Sequence, residues 1–165
     1  MRPTLLDDLT HLCQQAGAVA DELCSLEAQQ NPLTAVLRQS IALREQGLDA
    51  LSLELLDQAQ SAGLSSGWLD DNRARALIRL GCVEPALQLW TALLADGSSA
   101  ELYACAKRAL DRFQWPRDLL AALEEGNLQQ ASEALDCWFD DLVEPALGTR
   151  ELLQVLDQGN TNLLR

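Results

Sequence analysis

The sequence predicts an all-α fold built from paired helices, and three observations lead to this prediction. Apolar residues make up 48% of the 165-residue chain. Leu and Ala dominate them and β-branched residues are few, which favours helices over strands. Apolar residues recur at spacings of three and four, the period of an amphipathic helix, and no stretch alternates as a strand does. Gly and Pro divide these stretches into segments of helix length.

The stretch 70–94 shows this pattern most clearly and indicates two helices with a turn between them. Leu77 and Ile78 lie on the apolar side of the first helix. Gly81 supplies a turn residue that tolerates a positive φ, and Pro85 falls in the first turn of the second helix, where its missing N–H costs little. The second helix carries an apolar stripe formed by Ala86, Leu87, Trp90, Leu93 and Leu94. Such a pair cannot bury its apolar faces alone and needs similar neighbours.

A similar neighbour precedes this pair by 34 residues, the distance from Gly47 to Gly81. A period of 34 residues built of helix, glycine turn and helix is the tetratricopeptide period. The upstream residues at or next to the offsets of Ala74, Leu77, Leu87, Trp90 and Leu93 are Ser40, Leu43, Leu53, Leu56 and Ala59. The chain therefore resembles the tetratricopeptide repeat family at this point.

The resemblance covers 67–100 best, extends to 33–66, and is partial over 112–145. The residues that match the family pattern in the best unit are Asn72, Ala74, Leu77, Gly81, Val83, Ala86 and Trp90. The chain departs from the family in two respects: Gly126 lies 45 residues after Gly81, and Val36 and Asp70 stand where the family has an early Trp. The resemblance implies a tetratricopeptide-like solenoid of helical hairpins, with about eight or nine helices in one domain, 1–165.

The N-terminal stretch predicts one long helix over 1–30, capped at Thr4 and ended by Asn31-Pro32. Its apolar residues follow a heptad seam, formed by Leu5, Leu9, Leu12, Ala16, Val19, Leu23 and Leu26. Two interpretations stay open: the seam packs within the chain as a cap, or it pairs with a second copy in a homodimer. Gly17 could mark a bend.

The remaining helices follow from the same signals. The predicted repeat helices within 33–145 are 33–46, 49–62, 68–80, 84–95, 100–113, 117–125 and 128–142, and Trp115-Pro116 is expected to separate the fifth from the sixth. A C-terminal helix over 149–157 precedes a tail that ends at 165.

Charge and composition narrow the possible partners. The net charge of −13 argues against nucleic acid, and no apolar run is long enough to span a membrane. The charge is −4 over 1–37, −1 over 38–117 and −8 over 118–165. Solubility explains this acidity, and the alternative is that a basic partner docks on the C-terminal third. The N-terminus lacks an apolar signal core, so we expect a protein of the cytoplasm, in a bacterium.

The sequence contains no catalytic motif, and we predict that the protein is not an enzyme. The five cysteines are widely spaced and form no CxxC pair, which is typical of buried cytosolic thiols. Because His11 stands alone without a cluster of metal ligands, we predict no metal and no cofactor.

The candidate site is a partner-binding groove, which the resemblance places on the first helix of each pair. The residues that the resemblance assigns to it are Leu37, Ile41, Arg44 and Glu45 in one unit, and Trp68, Asp71, Asn72, Arg75, Ile78 and Arg79 in the next. Arg75 and Arg79 lie one turn apart and project together, and an arginine fork suits a carboxylate. We predict that Asn72 and the three arginines grip a peptide backbone or carboxylate, with Trp68 as the apolar anchor.

The alternative is that these arginines only neutralise acids on neighbouring helices. The sequence thus favours a module that binds another protein, as an adaptor or an assembly chaperone for a subunit of a larger complex. The second interpretation is a structural subunit that self-assembles through Leu5–Leu26.

Overall fold

The computed structural model describes residues 4–143, apart from the side chains of 114–117 and 137–143. This range contains nine α-helices and no strand, which confirms the predicted all-α class. The helices are α1 (Leu5–Gln15), α2 (Asp21–Cys24), α3 (Leu26–Gln30), α4 (Pro32–Glu45), α5 (Asp49–Ser61), α6 (Gly67–Arg79), α7 (Val83–Ala95), α8 (Ala100–Glu124) and α9 (Leu128–Val143). The predicted helix over 149–157 lies outside the described residues.

Helices α4 to α7 begin and end within one residue of the predicted bounds, because apolar periodicity and glycine turns set them locally. Gly47 and Gly81, the pair that defines the 34-residue period, adopt φ values of 79° and 82°. In each turn the residue after the glycine donates its N–H to the carbonyl of the residue five positions earlier. Leu48 donates to Leu43 and Cys82 donates to Leu77, both at 2.9 Å. The sequence period thus corresponds to a repeated Schellman-type turn.

Consecutive helices from α4 to α9 pack against one another in chain order. The alternate helices α4, α6 and α8 also contact one another, so that α6 lies between α4 and α8 and packs on α5 and α7. The core between these helices is mainly Leu and Ala, with Trp68 and Trp90 as its largest buried side chains. A buried leucine stabilises such a core by about 1.5–3 kcal/mol relative to an exposed one.

The N-terminal segment is helical as predicted but is divided into three short helices rather than one. Gly17 takes a φ of 73°, and Ala18 donates its N–H to the carbonyl of Cys13 at 2.9 Å, which ends α1. A left-handed residue at this point turns the chain out of the helix. The predicted seam is therefore interrupted: Val19 and Leu26 are 57% and 84% exposed. The other part of the seam packs into or against the core, and consists of Leu5, Leu9, Leu12 and Leu23.

The predicted break at Trp115-Pro116 is wrong, because α8 is one helix of 25 residues. A proline inside a helix removes a hydrogen bond and costs about 3 kcal/mol. Helix α8 packs against both α7 and α9, and burial against two neighbours offsets a cost of this size. Local sequence signals do not reveal such packing.

Candidate partner-binding site

Helix α6 carries most of the predicted site and is fixed at its first turn. Ser66 accepts a hydrogen bond from the N–H of Trp68 at 3.2 Å, as an N-cap residue does. The helix then runs between α4, α5, α7 and α8. This central position determines how much of each predicted contact residue reaches the surface.

Seven of the ten residues assigned to the groove show how exposure varies within it. Leu37, Ile41 and Trp68 lie in the core, with exposed fractions of 0%, 3% and 0%. Arg44 and Asn72 are also buried. The remaining two are more accessible, since the side chain of Arg75 is 14% exposed and that of Arg79 is 50% exposed. The surface presented at this site is therefore mainly that of Arg79 and the edge of Arg75.

Arg44, near the C-terminal end of α4, reaches across to α6. Its Nη2 donates to Oδ1 of Asn72 at 2.6 Å, and Nδ2 of Asn72 donates in turn to the carbonyl of Trp68 at 2.8 Å. The pKa of Arg44 is lowered to about 10, chiefly by burial and also by the nearby charges of Arg75 and Arg79, while Asp71 and Asp49 act in the opposite direction. The bond to Asn72 compensates part of the cost of burying this charge.

Asp71 is the centre of a second buried contact, between α6 and α7. Its carboxylate accepts from Nε of Arg75 at 2.8 Å and from Nη2 at 3.3 Å. It also accepts from the indole N–H of Trp90 at 2.9 Å. The guanidinium carbon of Arg75 lies 6.0 Å from the ring centroid of Trp90, and that ring stacks on Phe113 of α8. The buried carboxylate thus joins α6 to α7, and the stacked rings of Trp90 and Phe113 extend the contact to α8.

Arg79 connects α6 to the preceding pair of helices. Its Nε donates to a carboxylate oxygen of Asp49 at the start of α5, and its Nη2 donates to the backbone carbonyl of Arg44 at 3.3 Å. That carbonyl lies in the last turn of α4 and also accepts the N–H of Gly47 at 2.9 Å. The structure therefore brings Arg44, Asn72, Arg75 and Arg79 together and places the hydrogen bonds described above within the chain.

Two of these features bear on the alternative that the sequence left open. Arg79 pairs with Asp49 of α5, which is the arrangement expected if the arginines neutralise acids on neighbouring helices, whereas Arg75 pairs with Asp71 of its own helix. Sequence reasoning gave Asp71 only a place in the groove and missed its buried role. The spacing of Asp71 and Arg75 at i and i+4 was the available signal, whereas nothing local indicated Trp90 as the third member.

A further arginine, Arg73, also joins α5 and α6. Arg73 donates to Asp57 at 2.7 Å and to Asp70 at 3.4 Å. Burial raises the pKa of Asp70 above its ordinary value of 3.8, the charge of Arg73 opposes this rise, and the charge of Asp96 adds to it. Ion pairs therefore link α6 to α5 at two positions.

No group of three or more His, Cys, Asp or Glu side chains within the part of the chain that the structure describes is placed to hold a metal ion. Between residues 4 and 143 no helix combines the length and apolarity that crossing a bilayer requires. Four described cysteines are free thiols, two of them buried (Cys13, Cys105) and two exposed (Cys24, Cys82).

Comparisons with known proteins give no match: no family model, no curated protein and no solved structure is similar to this chain. The resemblance to tetratricopeptide repeats stays a prediction from the residues.

Proposed function

We propose that this protein is a non-catalytic interaction module, an adaptor or an assembly chaperone, that binds a segment of another protein. The observation that carries the proposal is the ordered packing of α4, α6 and α8, in which each alternate helix contacts the next. Helical hairpins stacked in this way form an extended surface along which a partner segment can lie. We place the protein in the cytoplasm, where free thiols such as the four described persist.

On the candidate groove, Arg79 is the group best placed to meet a partner. Half of its side chain is exposed, and its guanidinium has five donors, of which two are used within the chain. A carboxylate or backbone carbonyl of a partner would find donors there. Arg75 is less suited to a test, because removing it would leave the buried Asp71 without its counter-charge.

The proposal is tested by affinity purification of the full chain followed by mass spectrometry. We expect at least one protein to be recovered in stoichiometric amount, and an Arg79→Gln variant to recover less of it. Lys107→Gln is the matched control, since Lys107 is an exposed cation paired with an acid on α8. If no protein is recovered specifically, the proposed function fails. If Arg79→Gln and Lys107→Gln behave alike, the groove is not the contact.

Self-assembly through the N-terminal segment is the second candidate, and the exposure of Val19 and Leu26 favours it. Both side chains face solvent, so Val19→Glu with Leu26→Glu tests the contact without disturbing the core. A dimer in light scattering that this double variant dissociates would support self-assembly. A wild-type monomer would exclude it.

A further inference from the structure

The α8–α9 hairpin has an apolar side that its own packing does not use. The two helices meet at the turn around Gly126 and run antiparallel, and α9 makes its principal contacts with α8 among the described helices. Small residues form the contact between them: Ala122, Ala131 and Ala134 are 1%, 5% and 5% exposed. Close packing through alanines leaves the larger side chains outside the contact.

Four leucines of this hairpin are exposed instead. The exposed fractions are 62%, 52%, 75% and 38% for Leu120, Leu123, Leu128 and Leu135. We refer to these four residues as the leucine face. Single exposed leucines are ordinary on a protein surface, but several that share one surface mark an interaction site.

Helical geometry puts Leu123, Leu128 and Leu135 on the same side of the hairpin, and puts Leu120, about 160° around α8 from the buried Ala122, on the adjoining outer flank. At about 100° per residue, Leu123 lies about a quarter turn clockwise from Ala122 when α8 is viewed from its N-terminus. Leu128 and Leu135 lie about a quarter turn, in the same sense, from the buried edge of α9. Because the helices run antiparallel, these two rotations point to one side of the plane that contains both axes. The leucines therefore form one surface across two helices.

The charge around the leucine face indicates which kind of partner can bind there. The sequence from 118 to 143 has no Lys or Arg and seven carboxylates, which belong to Asp118, Glu124, Glu125, Glu133, Asp136, Asp140 and Asp141. Glu124 lies one turn after Leu120, and Asp136 directly follows Leu135. A second copy of this hairpin would bring like charges together. Residues 144–165 carry three acids and two arginines, so they offer little complementary charge.

We propose that the leucine face binds an amphipathic helix of a partner protein, with apolar residues on one side and Lys or Arg along its flanks. The apolar side of such a helix would cover the four leucines, as in helix-in-groove recognition. Its basic flanks would meet Glu124 and Asp136 at the outer edges of the hairpin. This inference rests on the proposed function and names the chemistry of the partner.

A designed peptide tests the inference on the full chain. The probe is a fluorescently labelled helix of about 18 residues, with leucines spaced by three and four and lysines at the flanking positions. A second peptide has Glu in place of every Lys. In anisotropy titrations we expect the basic peptide to bind, the acidic one not to bind, and rising salt to weaken the complex.

The variant Leu120→Gln with Leu123→Gln and Leu128→Gln should weaken binding at least about tenfold, which corresponds to 1.4 kcal/mol. Leu80→Gln with Val83→Gln is the matched control, because both side chains are exposed away from the hairpin, and it should bind like the wild type. The triple variant should also keep the Tm of the wild type, since exposed side chains contribute little to stability.

Several results would each overturn the inference. It fails if the basic peptide does not bind the wild type, or binds the triple variant equally well. A clear fall in the Tm of the triple variant would show that the chain covers the leucine face itself. A wild-type dimer that the triple variant dissociates in sedimentation would show that a second copy covers it. If a partner from the affinity purification still binds the triple variant, the inference fails while the proposed function stands.

Discussion

Replacing Asp71 with Ala removes a carboxylate that is 1% exposed and accepts three hydrogen bonds, two from Arg75 and one from Trp90. The substitution leaves a guanidinium that is 14% exposed without its counter-ion. It also removes the acceptor of the indole N–H of Trp90, a side chain that is only 2% exposed. Both effects destabilise the folded state, since the indole N–H of Trp90 recovers no water on losing its partner and the guanidinium of Arg75 recovers only part of its hydration.

The size of the effect follows from this burial. Breaking a buried ion pair by removing one partner costs about 3–5 kcal/mol. The partial exposure of Arg75 lets water solvate its charge, so we take the lower figure of about 3 kcal/mol. For a chain of this length a loss of 1 kcal/mol lowers Tm by about 2–4 °C. Asp71→Ala should therefore lower Tm by about 6–12 °C.

Urea unfolding followed by circular dichroism measures the free energy of unfolding directly. The midpoint should fall while the m-value stays constant, because the surface exposed on unfolding does not change. Asp111→Ala is the control: Asp111 pairs with Lys107 at 3.1 Å, but both side chains are more than half exposed, and an exposed pair is worth about 0–1 kcal/mol. If Asp71→Ala costs no more than Asp111→Ala, the reasoning from burial is refuted.

Three further predictions follow from buried contacts. Trp90→Phe should lower the free energy of unfolding by about 1–3 kcal/mol more than Trp68→Phe in the same urea assay. Both indoles are buried, but of these two described side chains only Trp90 has an acceptor for its indole N–H. Equal losses would refute a role for that hydrogen bond. Because burial raises the pKa of Asp70, the charge of its carboxylate opposes folding at neutral pH. Asp70→Asn should therefore be more stable than the wild type at pH 7. The Tm values of the two proteins should converge as the pH falls below 3.8. Gly67→Ala should destabilise the fold by about 1–3 kcal/mol, since its new Cβ would overlap Cδ2 of the buried Leu102. In a double-mutant cycle, the sum of the losses of Gly67→Ala and Leu102→Ala should exceed the loss of the double variant. Strict additivity would contradict the overlap.

The existence, order and bounds of most helices could be predicted from the sequence. Apolar spacing and glycine placement act within a few residues, so Gly47 and Gly81 identify their turns before any tertiary contact is known. Two local signals misled the prediction. Pro116 indicated a break that α8 does not have, and the seam from Leu5 to Leu26 indicated one helix where the chain turns at Gly17. At Pro116 the packing of α8 against α7 and α9 outweighed a local signal, whereas at Gly17 a local left-handed turn interrupted the heptad pattern.

The sequence by itself determined that this protein is all-α, that its helices form pairs, and that several arginines cluster around α6. Only the tertiary structure decided what those arginines bind: Asp49 is 30 residues from Arg79 in the chain, and Trp90 is 19 residues from Asp71. Periodicity places a side chain on a face of its own helix and does not state which distant helix covers that face. Burial depends on that neighbour, so residues predicted to grip a partner hold the helices of this chain together.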